Sequence, residues 1–167
     1  DLSVVVMPPI NQTNHVEAKD FFYTTLYAPL CEKGYYVYSP MMTMEMLQSE
    51  SAYDAETFIE GDLSQFWDVL GADAAMFTII KSWKRNNLGG VLTVGVEYIL
   101  RSTKTGETLY QREGLIKVDT SVGKSVGAMS ALTSLIATAV STAMTDTVVA
   151  GRICTVYVLS DMPEGKY

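Results

Sequence analysis

VLTVGVEYILRSTKTGETLYQREGLIKV, residues 91–118, holds two strands and the turn that joins them. Polar and apolar residues alternate from Val91 to Ser102, as they do in a strand with one face on a hydrophobic core. Lys104–Glu107 then supplies the residues of a hairpin turn, and Thr108–Val118 returns as the partner strand. Strands joined by such a turn pair antiparallel, so this part of the sequence predicts an antiparallel meander.

Upstream of the hairpin, strands alternate with helices. Leu2–Met7 is a short β-branched run that ends at a proline pair, which predicts a buried strand. Apolar residues recur near every 3.6 positions from Val16 to Cys31, which predicts one amphipathic helix that Gly34 ends. Tyr35–Tyr38 is then expected to be a short strand.

A second run of helices precedes the next strand. Ser39 as N-cap and Pro40 at the first helical position predict a helix start, with Met41, Met44 and Leu47 on one face. Leu63–Leu70 predicts a short helix before Gly71, and Ala75–Trp83 the strand that follows. Because this alternation needs parallel crossovers, residues 1–167 predict one α/β (α+β) domain, a mixed β-sheet with helices packed on it.

The segments on either side of the meander complete the expected architecture. A turn is expected from Asn86 to Gly90, where asparagine and glycine are concentrated. From Ser125 onwards the composition shifts to Ala, Ser, Thr, Met and Leu, which predicts one or two packed helices up to Leu159. No internal repeat or low-complexity tract is present.

Composition excludes some classes of function. The charged fraction of 19% lies below the globular average of about 25%, and the net charge of −7 opposes binding to a phosphate backbone. We therefore expect no nucleic-acid partner. The longest candidate for a membrane span, Val126–Ala143, is diluted by Ser and Thr. The sequence opens at Asp1, which is not an initiator methionine, so we interpret it as trimmed; a signal or lipid anchor could have preceded Asp1.

Histidine is too scarce for the usual catalytic and metal centres. His15 is the single histidine, and no cysteine pair has zinc-ligand spacing. Any nucleophile would need His15 as its base, and no Gly-x-Ser-x-Gly elbow is present to hold a serine. Gly123-Lys124-Ser125 is similar to the end of a phosphate-binding loop, but Val118 stands where that loop needs glycine. We expect no catalytic residue, no metal and no cofactor.

Several polar features have simple structural interpretations. We expect His15 to be exposed and solvated, with Glu17 or Asp20 as the partners that remain conceivable. The acidic residues from Glu45 to Asp68 are expected to form a solvated face. Cys31 and Cys154 are expected to be two buried free thiols, although one disulfide is the alternative in an oxidising compartment.

The candidate binding residues lie after the first strand and in a tyrosine cluster of the first third. Loops at the carboxyl ends of strands commonly carry binding groups in α/β sheets, and tyrosine is enriched at interfaces. The cluster contains Tyr23, Tyr27, Tyr35, Tyr36, Tyr38 and Tyr53. The predicted binding residues are Pro8, Pro9, Asn11, Asn14, His15, Tyr35 and Tyr36.

Short motifs along nearly the whole chain carry a resemblance to a known family. They are Met7–Asn14, Tyr23–Leu26, Pro29-Leu30, Gly34–Val37, Gly71–Ala74, Trp83, Val96–Leu100, Thr105–Glu107 and Pro163–Tyr167. Together they resemble bacterial lipoproteins of unknown function that include a meningococcal surface-antigen candidate. The chain departs from the family near its end, where Lys166 replaces a proline.

The resemblance implies a location and a fold. It implies a signal peptide and a lipidated cysteine upstream of Asp1, with an outer-membrane anchor facing the periplasm of a Gram-negative cell. Contact with the membrane would run only through that anchor. It also implies a fold similar to the amino-terminal domain of the TolB translocation protein, and association with lipoproteins of the curli-secretion type. The family has no established catalytic residues.

Three functions of different classes remain. The leading hypothesis is a non-catalytic envelope lipoprotein that is an accessory or assembly partner of an outer-membrane export or envelope-maintenance complex. The alternative is a ligand-binding or hydrolytic domain with a deep apolar pocket at the strand ends, using His15, Asp20 or Asp73. The third is a homo-oligomer packed through a small-residue helix from Ser125 to Met144. An exposed apolar patch or sheet edge favours a partner-binding domain.

Overall fold

A computed structural model describes residues 2–49, 55–86, 91–119, 138–139 and 147–166. Within these ranges strands and helices alternate first, and a strand meander follows. The elements are β1 (Ser3–Val6), β2 (Ile10–Asn11), α1 (Ala18–Thr25), α2 (Tyr27–Glu32), β3 (Tyr36–Val37), α3 (Pro40–Ser49), α4 (Glu56–Ile59), α5 (Ser64–Leu70), β4 (Ala74–Asn86), β5 (Val91–Ser102), β6 (Thr108–Asp119), β7 (Thr138–Ala139) and α6 (Thr147–Leu159).

The strands form one mixed sheet in the order β3-β1-β4-β5-β6-β7, with β2 also paired to β4. β1 runs parallel to both β3 and β4, whereas β4, β5 and β6 pair antiparallel. Helical crossovers therefore connect the parallel strands β1, β3 and β4. Short connections join the antiparallel strands β4, β5 and β6. The predicted mixed α/β fold is confirmed.

The hairpin between β5 and β6 closes as the sequence predicts. Gly106 has φ +72°, in the left-handed region that glycine adopts without strain. The Ser102 N–H donates to the Glu107 carbonyl at 2.8 Å, and the Arg101 Nε–H donates to the Gly106 carbonyl at 3.0 Å. Local sequence is sufficient to define this turn.

Two hydrophobic clusters lie on opposite faces of the sheet. Phe22 on α1 and Cys154 on α6 belong to the first cluster, beside Tyr98 of β5. Phe58 and Phe66, from α4 and α5, pack in the second, with ring centroids 5.5 Å apart. Full burial of each such side chain contributes about 1.5–3 kcal/mol, so both faces stabilise the sheet.

The helix predicted from Val16 to Cys31 is instead two helices, α1 and α2, which meet at Leu26. Pro29 lies in α2 and has no N–H, so the Thr25 carbonyl loses its usual i+4 donor. The Thr25 hydroxyl donates to the Phe22 carbonyl at 2.9 Å at the same point. Gly34, with φ +83°, then ends the helical run as predicted.

Helix α3 begins at Pro40 as predicted, but its buried face differs from the prediction. Thr43 and Leu47, four positions apart, are buried, and Met44 packs partly against the second cluster. Met41 is 72% exposed. Since residues 41 and 43 point to opposite sides of a helix at 100° per residue, Met41 is directed away from the core.

The helix predicted from Ser125 to Met144 is wrong at Thr138–Ala139, which form β7 parallel to β6. Alanine and threonine at a sheet edge pair with the backbone groups that β6 leaves open there. Helix α6 confirms the later part of the prediction, up to Leu159. Other predicted features lie outside the described residues: positions 87–90 of the expected turn, the Gly123-Lys124-Ser125 motif, positions 126–137 and 140–144 of the predicted helix, Tyr53, and Glu50 and Asp54 of the acidic stretch.

The two cysteines are free and differ in environment. Cys154 is buried as predicted, and burial raises the pKa of its thiol. Cys31 is exposed, so its predicted burial is wrong, because Leu30 takes the core position and Cys31 lies about 100° around the helix. None of the described helices combines the length and the apolar character that a membrane span requires.

Candidate functional site

The chain leaves β1 through a proline pair that is built into the sheet. The Met7 N–H donates to the Met76 carbonyl at 2.9 Å, and pairing with β4 resumes at Ile10, opposite Ile79. Pro8 and Pro9, which lie between these bonds, have no N–H to leave unpaired, and both are buried. These two predicted binding residues therefore shape the loop and do not present a surface.

Asn11 fixes the loop that follows, at the carboxyl end of β1. Its Oδ1 accepts from the Thr13 N–H at 3.0 Å and from the Thr13 hydroxyl at 2.7 Å, and its Nδ2 donates to the His15 carbonyl at 2.7 Å. This is the side-chain-to-backbone pattern of an Asx turn. Asn14 is exposed within the loop. Asn11 thus positions the loop, and the Asn14 side chain extends from it into solvent.

His15 is stacked on Trp83 of β4. The ring centroids are 4.6 Å apart with 10° between the planes, and Trp83 meets Phe22 edge-on at 6.2 Å. His15 is half-buried, so the predicted solvated histidine is wrong. Its Nε2 is buried and has no hydrogen-bond partner among the described residues, a condition that costs about 1–3 kcal/mol. The contact of His15 with Trp83 is therefore made at a cost in stability at this nitrogen.

An open cleft of about 750 Å³ lies between this loop and the far part of β4. Its lining includes Glu17 from the loop side, with Lys81, Lys84 and Arg85 from β4. Lys81 is paired with Glu97 at 2.7 Å and with Glu113 at 3.2 Å, and its hydrogen bond to Glu97 raises its pKa. Lys84 and Arg85 are exposed. The cleft is therefore open, polar and mainly basic.

Exposed apolar side chains also follow the carboxyl ends of the parallel strands β2 and β3. Val16, which follows the loop, is 81% exposed, and Met41 and Met42 are exposed where α3 leaves the carboxyl end of β3. The Tyr23 hydroxyl donates to the Pro40 carbonyl at 2.8 Å and so ties α1 to the start of α3. We call the surface formed by residues 11–17, Met41, Met42 and residues 81–85 the carboxyl-end surface.

The tyrosine cluster does not join this surface. Tyr35 is buried, and its hydroxyl donates to the Pro163 carbonyl. Tyr36 is exposed on β3, but it pairs with Ser3 at the amino end of β1. The structure therefore separates Tyr35 and Tyr36 from the Pro8–His15 loop, because the parallel register places them at opposite ends of the sheet.

The amino end of the sheet contains a polar network centred on Asp73. Its Oδ2 accepts from the Ser3 N–H at 3.1 Å and the Ser3 hydroxyl at 2.9 Å, and its Oδ1 meets the Lys104 ammonium at 3.2 Å. Burial alone would raise the pKa of Asp73, but these hydrogen bonds and the Lys104 charge lower it below its ordinary value. Lys104 Nζ also lies 3.4 Å from the centroid of the Trp67 ring.

His15, Asp20 and Asp73 are not assembled into one pocket. Asp73 precedes β4 and Trp83 lies ten residues further along it, so at about 3.3 Å per residue His15 is roughly 30 Å from Asp73. Asp20 is exposed on α1. In the described ranges, no three His, Cys, Asp or Glu side chains converge as metal ligands would.

The chain matches a family model described as "Putative lipoprotein GNA1162-like" over residues 1–163. Among curated proteins it is similar to "Putative lipoprotein NMB1124/NMB1162" of Neisseria meningitidis serogroup B. The two are 23% identical over 146 residues, which cover 86% of this chain and 67% of the relative.

Three solved structures share the fold. The lipoprotein GNA1162 from Neisseria meningitidis gives a TM-score of 0.63 at 23% identity, over 70% of this chain and 83% of that one. The PelC dodecamer from Paraburkholderia phytofirmans gives 0.58 at 14% identity, over 99% and 88%. The LpoB C-terminal domain from Escherichia coli gives 0.51 at 16% identity, over 68% and 81%. The likeness to TolB stays a prediction.

Proposed function

Because this chain belongs to the family of lipoproteins similar to GNA1162, we propose that it is the folded part of an outer-membrane lipoprotein that faces the periplasm. In this proposal it is an accessory or assembly partner of an export or envelope-maintenance complex. It performs no catalysis, and it acts by contact through the carboxyl-end surface. Its partners are other envelope proteins, including lipoproteins of the curli-secretion type.

One observation carries this proposal: exposed apolar side chains follow the carboxyl ends of parallel strands, one of them directly after a loop whose shape is fixed. Val16 is 81% exposed directly after the loop that Asn11 holds in place, and Met41 is 72% exposed at the start of α3, which follows β3. Exposed apolar patches rimmed by polar groups mark interaction sites. Methionine adapts its shape to a partner, and a preorganised loop loses little entropy when it binds. The carboxyl-end surface therefore suits a protein partner.

The cleft supports a protein partner better than a small ligand. Small-molecule sites usually enclose most of the ligand in a concave and mainly apolar pocket. This cleft is open, and Glu17, Lys84 and Arg85 line it. The groups that a hydrolytic or ligand-binding site was expected to use, His15 and Asp73, lie at opposite ends of β4. Charged side chains around the apolar residues would instead select and orient a partner.

The test is a crosslinking pull-down of the full-length anchored protein from its native cells, read by mass spectrometry. Val16→Asp places a charge on the proposed surface, and Val156→Asp does so on α6, where Val156 is 63% exposed. We expect envelope proteins to co-purify with wild type and V156D and to be lost from V16D. Equal capture by all three proteins would contradict the proposal.

A second copy of the chain is the competing occupant of this surface, because two of the matched PelC structures are dodecamers. Sedimentation of the purified protein separates the two cases. We expect wild type and V16D to sediment identically. An oligomer that V16D dissociates would assign the surface to self-assembly instead of to an envelope partner.

A further inference from the structure

A second exposed apolar group lies at the opposite, amino end of the sheet. Trp67 and Val69, on the last turns of α5, are 39% and 68% exposed. Tyr36, which is also exposed, lies at this end on β3, opposite Ser3. Tryptophan, tyrosine and lysine are the residues that concentrate at membrane–water interfaces, and Lys104 lies over the Trp67 ring.

The first described residues of the chain reach the same place. The Ser3 hydroxyl oxygen lies 3.2 Å from the Gly71 carbonyl oxygen, and the Asp73 N–H donates to the Ser3 carbonyl at 3.0 Å. Gly71 directly follows α5, so Ser3 is held next to the helix turn that carries Val69. Any segment attached upstream of Leu2 therefore leaves the fold at the amino end of the sheet, the end at which Trp67 and Val69 lie.

We propose that the amino end of the sheet rests on the bilayer surface, with Trp67 and Val69 inserted at the level of the lipid headgroups. This inference rests on the lipid anchor of the proposed function, because the anchor holds this end at the membrane. The anchor alone fixes no orientation of the domain, and contact by exposed apolar side chains with the interface would hold this end against the bilayer. The domain itself thus touches the membrane, beyond the contact that its anchor makes.

The charges of the residues at the amino end indicate which lipid headgroups this surface can contact. The Lys104 ammonium is paired with Asp73, so it offers little free positive charge. Asp68 and Glu107 are exposed nearby, and the chain carries a net charge of −7. An acidic protein surface is repelled by anionic headgroups. The expected lipid is therefore zwitterionic, with phosphatidylethanolamine or phosphatidylcholine headgroups.

This orientation also sets how far each end of the sheet lies from the bilayer. β4 runs from the Asp73 network to Trp83, so it carries the carboxyl-end surface roughly 30 Å away from the bilayer. The loop and cleft then face the periplasm, where a partner has access to them. Membrane contact and partner contact use separate ends of one sheet.

The test measures tryptophan fluorescence on phosphatidylcholine vesicles that contain brominated lipid, which quenches tryptophans at the bilayer. The full-length chain is attached by an N-terminal histidine tag to a nickel-chelating lipid, so attachment does not depend on native lipidation. Vesicles without bromine are the reference. Trp67→Phe leaves Trp83 as the tryptophan of this chain, and Val69→Asp is matched to Val156→Asp.

We expect bromine to quench the wild type and V156D, to quench V69D less, and to leave W67F unquenched. An unquenched wild type would overturn the inference. Equal quenching of wild type and W67F would also overturn it, since Trp83 and the carboxyl end would then face the bilayer. The V16D pull-down reads the proposed partner contact separately, so either proposal can fail while the other stands.

Discussion

The two ends of the sheet are held together by different kinds of interaction. At the amino end, Asp73 accepts three hydrogen bonds from Ser3 and Lys104, and the Arg101 guanidinium donates to the carbonyls of Phe58 and Ile59. At the carboxyl end, the His15 ring stacks on Trp83, and the Gln12 N–H donates to the Ile80 carbonyl at 2.9 Å, so a ring stack and backbone pairing join the loop to β4. The first end is saturated with polar contacts, and the second leaves a histidine nitrogen without a partner among the described residues.

The two ends therefore differ in how many polar groups are already paired within the fold. A satisfied polar network fixes a unique geometry and leaves none of its own polar groups for a partner, so the membrane contact proposed for this end is made by exposed apolar side chains. A loop that is shaped by Asn11 and that exposes Asn14 and Val16 to solvent keeps groups that a partner can contact. Function on a positioned loop beside a rigid scaffold is a common arrangement. We therefore expect substitutions at the two ends to differ in their effect on the free energy of unfolding.

The largest difference is expected between the two tryptophans. Trp83 is packed between His15 and Phe22, so Trp83→Ala should lower the free energy of unfolding by about 2–3 kcal/mol, less than for a fully buried tryptophan. Trp67 contacts Lys104 at the surface, and Trp67→Ala should cost about 1 kcal/mol or less. Urea unfolding followed by circular dichroism measures both. Equal costs would show that the stack does not hold the carboxyl end.

The next effect belongs to the polar network. Asp73→Asn keeps the size of the side chain but removes the charge that Ser3 and Lys104 contact, so it should cost about 1–3 kcal/mol at neutral pH. Asp20→Asn, on the exposed face of α1, is the matched control and should cost about 0.5 kcal/mol. The same unfolding experiment compares them. Equal costs would mean that the Asp73 network adds no stability to the amino end.

The pH dependence of stability sharpens this test. The folded pKa of Asp73 is lowered, so its contribution is present above the unfolded value of about 3.9 and is lost as the pH falls through the folded value. Wild type should therefore lose more stability than D73N as the pH falls from neutral to below about 4. Parallel pH curves for the two proteins would show that Asp73 titrates alike in the folded and unfolded chain.

The smallest expected effect is at the histidine. His15→Phe keeps a ring on Trp83 and removes the buried nitrogen that has no described partner, so stability should be unchanged or rise by up to about 1 kcal/mol. A clear loss of stability would mean that the nitrogen is satisfied in solution. Either result is read by the midpoint of urea unfolding, with the Asn14→Ala variant of the exposed loop position as reference.

Local signals predicted much of the fold. Alternation over Val91–Ser102 and the glycine at position 106 defined the hairpin, and Gly34 and Gly71 ended helices through left-handed backbone. Features that depend on distant partners were missed. The His15 stack joins residues 68 positions apart and the Ser3–Asp73 bonds residues 70 apart. Periodicity within a short window contains no information on such contacts.

The candidate site was predicted in part for the same reason. The loop after β1 lies where the strand order places it, and Asn14 is exposed. The burial of Pro8 and Pro9 depends on how β2 pairs with β4, which residues 8–11 alone do not reveal. Tyr36 is close in sequence to the loop, which favours one binding surface for both. Its register with Ser3 instead places Tyr36 at the amino end of the sheet, opposite to the loop.

The central claim is that partners bind the carboxyl-end surface. It is tested most directly by crosslinking in living cells, with a photoreactive phenylalanine derivative at position 42 of the full-length anchored protein and, as control, at position 156. Both positions are exposed and carry apolar side chains. We predict that position 42 captures another envelope protein and that position 156 does not. Capture at position 156 alone would contradict the claim.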